Sequence, residues 1–227
     1  TPKKLPETLV NSIEVSPHDP ATVYIATTRY KFNDFSPAVY KSSNYGKTWK
    51  NISSDLPMGE YTRVIREDSK RKDLLFAGTF SGVYCSFDGG GSWTKLTLNL
   101  PNTPITDLKV AHDNLIVATQ GRSFWILDDL DFVRKYPFQK GDFLFVKEHS
   151  ILANWYSQMN ASNPSGVQDF TGVNPASGMV MYYNLSEVNE DSQLKINIYN
   201  SKDELVNSFS SSVDSTYISY EGAPSRD

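Results

Sequence analysis

The chain has 227 residues, a formal net charge of −4 and 39% hydrophobic residues, with aromatic residues making up 13% of the whole. That is enough apolar material for a packed core, while a mean hydropathy of −0.43 excludes a helical membrane protein, and no apolar run approaches the roughly 18 residues a spanning helix needs. The acidic balance argues against nucleic acid as a partner; the basic run Lys70-Arg71-Lys72 lies between Asp68 and Asp73 and reads as a solvated turn.

Taken in order, the chain offers short strands at 12–15 and 23–27, joined by the turn Pro17-His18-Asp19-Pro20. A long loop rich in aromatic and charged residues, Arg29 to Phe35, leads to a third strand at 38–42. The turn Ser42-Ser43-Asn44-Tyr45-Gly46-Lys47-Thr48-Trp49 then returns the chain into a fourth strand at 49–52. The order repeats with strands at 62–65, 74–79 and 82–86, the turn Ser86-Phe87-Asp88-Gly89-Gly90-Gly91-Ser92-Trp93, and a strand at 93–96. Cys85, the single cysteine, falls within such a strand and reads as a small buried hydrophobe, leaving no disulfide framework or paired-cysteine metal site. A third unit has strands at 105–110, 114–119 and 123–127. In each unit the second strand ends in Ala-Thr or Gly-Thr, at Thr27, Thr79 and Thr119, where a small residue permits close approach of neighbouring sheets. No window sustains helical periodicity.

A unit length of 40 to 50 residues with three or four strands per unit is the pattern of propeller blades. The two turns share Ser-x-Asp/Asn-x-Gly-x-Ser/Thr-Trp, through Ser42, Asn44, Gly46, Thr48 and Trp49 and through Ser86, Asp88, Gly90, Ser92 and Trp93, with Asn44 and Asp88 44 residues apart. Glycine supplies positive φ, and a side-chain oxygen at 44 or 88 can accept hydrogen bonds from the turn's own amides. The motif resembles the Asp-box of bacterial-neuraminidase-type repeats, found in sialidases, sortilin-type receptors and some xyloglucan hydrolases. The run 118–129 is similar to the closing segment of large secreted sortilin-like bacterial proteins. The resemblance implies an all-β fold, the last blades of a β-propeller that is seven-bladed when complete, and a secreted, periplasmic or cell-surface location. It also implies that the boxes are structural hairpins without chemistry.

The third unit has Leu127-Asp128-Asp129-Leu130-Asp131 where a box should stand, and its fourth strand is missing. The acidic run reads as a solvated turn in preference to a calcium site. Three blades cannot close a ring that needs four to eight. The expectation is therefore a piece of a longer protein, or blades completed by a partner chain. Beyond 135 the character changes: 136–176 reads as linker, including a short strand at 143–146, an apolar stretch at 151–156 and a long Asn/Ser/Gly/Pro-rich segment. From 177 alternation returns, with Gly172, Asn174, Pro175 and Gly178 similar to the entry of the β-sandwich that follows the propeller in the same family. The chain holds only part of that Ig-like sandwich, over 177–227.

In a propeller, loops between second and third strands share one end with loops entering each innermost strand. That places Arg29, Tyr30, Asp34, Tyr61, Arg63, Phe80, Gln120 and Arg122 on one face, as stacking surfaces and oriented donors for a glycan or protein ligand. Asp34, Glu60 and Asp107 are the acids near that face, and none falls in a hydrolase motif. The arginines Arg29, Arg63 and Arg122 lie in separate loops without a sialidase signature. His18, His112 and His149 read as isolated residues in exposed turns; no cofactor and no metal are expected. The function expected is a binding or scaffold module. The alternative is the C-terminal portion of a xyloglucanase- or sialidase-like glycoside hydrolase whose acids lie mainly in missing blades.

Overall fold

The computed structural model describes residues 7–135, 141–147, 178–187 and 193–211, and the described residues are almost all β, as expected. The chain divides into two compact units, Thr1–Gln139 with Lys147–Val180, and Lys140–Val146 with Met181–Asp227.

The first unit holds three antiparallel meanders. Blade 1 runs β1 (Leu9–Val15), β2 (Val23–Thr28), β3 (Val39–Ser42) and β4 (Lys50–Asn51). Blade 2 repeats it as β5 (Thr62–Glu67), β6 (Leu75–Thr79), β7 (Val83–Ser86) and β8 (Thr94–Lys95). Blade 3 has β9 (Ile105–Ala111), β10 (Asn114–Thr119) and β11 (Phe124–Leu127), and no fourth strand among the described residues. Each innermost strand slips register near its start, leaving Asn11, Arg63 and Thr106 as the extra residues of three equivalent bulges.

Period-two alternation distributes blade 2 between two cores. Ile65, Leu75, Ala77, Tyr84 and Trp93 pack with Tyr24, Val39, Ile52 and Leu56 of blade 1. Val64, Phe76, Val83 and Cys85 pack with Ile105, Leu108, Leu115 and Val117 of blade 3. Gly78 leaves no room for a side chain between blades 2 and 3: a Cβ there would lie 2.5 Å from Val64 and 2.6 Å from Ile105. Cys85 is fully buried, and burial pushes its thiol up to about 12.

The pairing registers align the blades residue by residue. Ile13, Ile65 and Leu108 are equivalent, and they are 65%, 0% and 1% exposed. Val39, Val83 and Phe124 are likewise equivalent, at 0%, 1% and 77%. One face of blade 1 and the opposite face of blade 3 therefore lack the cover that every internal face receives.

A short helix, α1 (Asp131–Lys135), follows β11, where the sequence suggests none. It corrects the reading of 128–131 as a solvated acidic turn: Leu130 is fully buried, Asp129 pairs with Lys147 at 3.0 Å, and Asp131 pairs with Arg134. Arg134, itself buried, also binds Asp68 (2.8 Å, fully buried) and Asp113 (2.7 Å). Hydrogen bonding to these carboxylates outweighs burial and raises the guanidinium's pKa further. The 70–72 run is not a simple solvated turn either. Lys70 pairs with Asp113, while Arg71 stacks on Phe87 and donates to the Arg134 carbonyl. His18 is half-buried, with Nε2 2.8 Å from the Asp68 carbonyl, so it is not an exposed histidine; His112 is exposed, and His149 lies outside the described residues.

The second unit contains two antiparallel pairs. β12 (Phe143–Val146) pairs with β13 (Met181–Asn184), and β14 (Lys195–Tyr199) with β15 (Leu205–Ser210). Phe145 stacks on Tyr182, and Asp142 accepts from the Ser186 amide and hydroxyl, which holds its carboxyl below the usual range. The strand at 143–146 thus belongs to this unit through its pairing. The expected apolar stretch at 151–156 and the entry residues Gly172, Asn174 and Pro175 lie outside the described residues.

Candidate functional site

Meander topology puts the β2–β3, β6–β7 and β10–β11 loops, with the connections entering β5 and β9, at one end of the first unit. Of the three loops, β2–β3 is the longest. It folds as a single 3-10 turn, Tyr30–Phe32, stopped by Asn33 in the left-handed region (φ 56°). Arg29 and Asp34 close its neck: Arg29 Nη1 donates to Asp34 Oδ2 at 2.6 Å, Nε donates to the Glu7 carbonyl, and the guanidinium lies 5.6 Å from the Phe32 ring centre. Hydrogen bonding from Ser36, aided by the Arg29 charge, holds the Asp34 carboxyl below the usual carboxylate range.

This loop reaches over to blade 2. The Tyr61 ring, nearly buried, sits at the centre, with Phe80 at 5.3 Å, Tyr30 at 5.9 Å and Phe35 at 6.1 Å between ring centroids, all tilted. Arg63 covers Tyr61 at 5.7 Å; it is the extra residue of the β5 bulge, which turns its side chain away from the ladder. Tyr30, Phe35 and Phe80 remain 37%, 45% and 48% exposed, so the cluster presents an open aromatic surface.

Glu60, next in sequence to Tyr61, is fixed by the Thr79 hydroxyl (2.7 Å) and by the amide and hydroxyl of Ser81. Lys95 extends the polar rim, donating to Ser81 Oγ (2.8 Å) and Asn102 Oδ1 (3.1 Å). It stands two residues after the box tryptophan, where sequence reasoning sees only an outer strand. Four of the eight expected site residues meet, Tyr30, Tyr61, Arg63 and Phe80, while Arg29 and Asp34 pair with each other in the loop that carries Tyr30. Gln120 and Arg122 stand apart in the blade 3 loop. Gln120 is held through its backbone by Pro104 and Thr103, and the Arg122 carbonyl accepts from the Trp125 indole.

The acids considered for hydrolysis are all engaged. Asp34 and Glu60 are accounted for above, and Asp107 accepts from Arg66 at 2.8 Å. Arg66, absent from the expected site, also binds Ser12 Oγ (2.8 Å) and the Leu108 carbonyl (2.8 Å) and faces Glu14 at 3.6 Å. It thereby joins the innermost strands of all three blades. Among the described residues no cluster of three or more His, Cys, Asp or Glu side chains is arranged to hold a metal ion.

The two box turns lie at the opposite end. In the first, Ser42 Oγ donates to Asn44 Oδ1, which accepts from the Thr48 amide (2.9 Å), and the Trp49 indole donates to the Gly46 carbonyl. In the second, Asp88 accepts from Ser86, Ser92 and the Gly91 amide, and the Trp93 indole crosses to the Ile52 carbonyl at 2.7 Å. Burial alone would raise the Asp88 carboxyl, but these donors outweigh it and bring it down to about 2.

The architecture is that of propeller blades. No protein family and no curated protein matches the chain significantly. Among solved structures, it is similar to the GH74 enzyme of Niastella koreensis (20% identity, TM-score 0.42, 53% of this chain, 21% of that one). It is also similar to YCF48 from Cyanidioschyzon merolae (18%, 0.41, 55% and 36%) and to YCF48 bound to D1 peptide (15%, 0.40, 54% and 38%). This chain spans about a fifth to two fifths of those chains, and the likeness concerns the fold.

Proposed function

We propose that the chain is part of a secreted or cell-surface propeller protein of the Asp-box, sortilin-like type, and that its loop end binds a glycan or protein ligand. One observation carries this reading: residues from three separate loops, Tyr30, Phe35, Tyr61 and Phe80, form one cluster whose outer rings stay open to solvent. Core-packing aromatics would be covered; these offer faces for stacking, beside Arg63 and a fixed Arg29–Asp34 pair. Gln120 and Arg122 belong to the same end and serve a ligand long enough to reach blade 3. The box residues Ser42, Asn44, Gly46, Thr48 and Trp49, and Ser86, Asp88, Gly90, Ser92 and Trp93, are structural. Hydrolysis within this chain is disfavoured, because each nearby carboxylate is bound to internal donors.

The test is a screen of the whole chain against immobilised oligosaccharides and peptides, followed by Tyr61→Ala and Phe80→Ala. Each substitution is expected to weaken a hit about tenfold or more, while Tyr45→Ala at the opposite end leaves it unchanged. Binding indifferent to Tyr61 and Phe80 would reject the site.

A further inference from the structure

Lys95 departs from the repeat, and the two box strands make the departure visible. The pairing registers set Asn51 of blade 1 and Lys95 of blade 2 at one position, opposite Tyr40 and Tyr84. Asn51 turns back on its own chain, its Oδ1 accepting from the Ser53 amide and hydroxyl. Lys95 runs instead to the loop end. Its stem lies against Gly82, where a Cβ would come within 3.2 Å of Lys95 Cε, and its Nζ sits 5.9 Å from the centre of the Tyr84 ring. There Nζ donates to Ser81 Oγ (2.8 Å) and to Asn102 Oδ1 (3.1 Å), while the Ser81 hydroxyl and amide donate to Glu60. Buried Thr79 holds Glu60 from the other side, its hydroxyl donating to Oε2 at 2.7 Å.

We propose that Glu60, Ser81, Lys95 and Asn102 form the polar half of the loop-end site, and that its ligand is a neutral glycan. This rests on the loop-end reading above and narrows its ligand to one class. One proton of the Lys95 ammonium, one acceptor position of the Glu60 carboxylate and both carboxamide protons of Asn102 have no partner among the described residues. The ammonium and the carboxylate are bonded to the same Ser81 oxygen, so they stand side by side and offset each other toward a charged ligand. A sugar hydroxyl donates and accepts at once, and adjacent hydroxyls of one ring suit a fixed acceptor placed beside fixed donors. The apolar partner comes next in the chain. Phe80 stands between Thr79 and Ser81, 48% exposed and backed by Tyr61 at 5.3 Å, and takes the C–H face of the same ring. An extended peptide offers its donors and acceptors singly along a strand, which a sheet edge matches better than a cluster of side chains.

The experiment titrates the whole chain with cellohexaose, mannohexaose, O-methylated cellohexaose, hexagalacturonic acid and a pool of synthetic peptides. Saturable binding to a neutral hexasaccharide is expected, and O-methylation, which keeps the ring's apolar face and removes its hydroxyl donors, should abolish it. Lys95→Met keeps the stem and removes the ammonium, and Asn102→Ala removes the exposed carboxamide; each should weaken binding about tenfold. A thermal melt matching the parent's establishes that each variant is folded. Neutral-glycan binding that survives O-methylation, or that is indifferent to both substitutions, would overturn the inference and leave the loop-end site in place. So would binding confined to peptides or to hexagalacturonic acid that Phe80→Ala weakens. No saturable binding to any of these probes would overturn both readings.

Discussion

Blade 2 and blade 3 share one repeat, the same bulge and the same strand registers, yet they are buried to different degrees. Blade 2 has four strands and a neighbour on each face; blade 3 has three among the described residues, and its outer face carries Phe124 and Ile126 at 77% and 59% exposure. The equivalent residues of blade 2, Val83 and Cys85, are 1% and 0% exposed. The apolar alternation is written into both strands, but burial comes from the next blade. A position's energetic weight is thus a property of its neighbours in the stack, which identical sequence types at equivalent sites can test.

The largest effect is expected at the staple that ties α1 to the blade 2 turn. Arg134→Ala leaves Asp68 buried without its cation and should cost about 3–5 kcal/mol in urea unfolding. A loss below about 1 kcal/mol would show that the staple does not hold the end of blade 3. Next comes the direct comparison of equivalent isoleucines. Ile65→Ala should cost about 2–5 kcal/mol. Ile13→Ala, at the same register position but on the open face, should stay within about 0.5 kcal/mol. Equal losses would mean that the blade 1 face is covered in solution. Gly78→Val should cost about 1–3 kcal/mol, because its side chain enters the contact between Val64 and Ile105. The smallest effect distinguishes the two boxes. The Asp88 carboxyl is depressed from 3.8 to about 2, so its contribution is fully present above the ordinary value and is lost as pH falls through about 2. Asp88→Asn, which copies the Asn44 box of blade 1, should flatten the stability profile between about pH 4 and pH 2. An unchanged slope would locate the acid sensitivity elsewhere.

Much of the fold was legible because blades are local objects. Strand alternation, the Gly-containing turns and the small residue before Thr27, Thr79 and Thr119 are short-range patterns, and the structure follows them to within a few residues. The candidate site was legible in part, since strand order alone sends 29–35, 60–63 and 80–81 to one end. That Tyr61 would be the centre was not legible. The bulge that frees Arg63 and the reach of the long loop depend on register and packing across two blades. Lys95 and Arg66 were hidden for the same reason, as their partners lie on different strands or loops.

By itself, then, the sequence determined the repeat, the all-β class and the end of the blades to which each loop goes, because these depend on residues within one or two turns of each other. Only the tertiary structure decided which apolar faces are covered and that Asp68 is paired with an arginine from α1. Those facts arise where separate blades meet, and a pairing between distant residues leaves no mark in the local pattern of either.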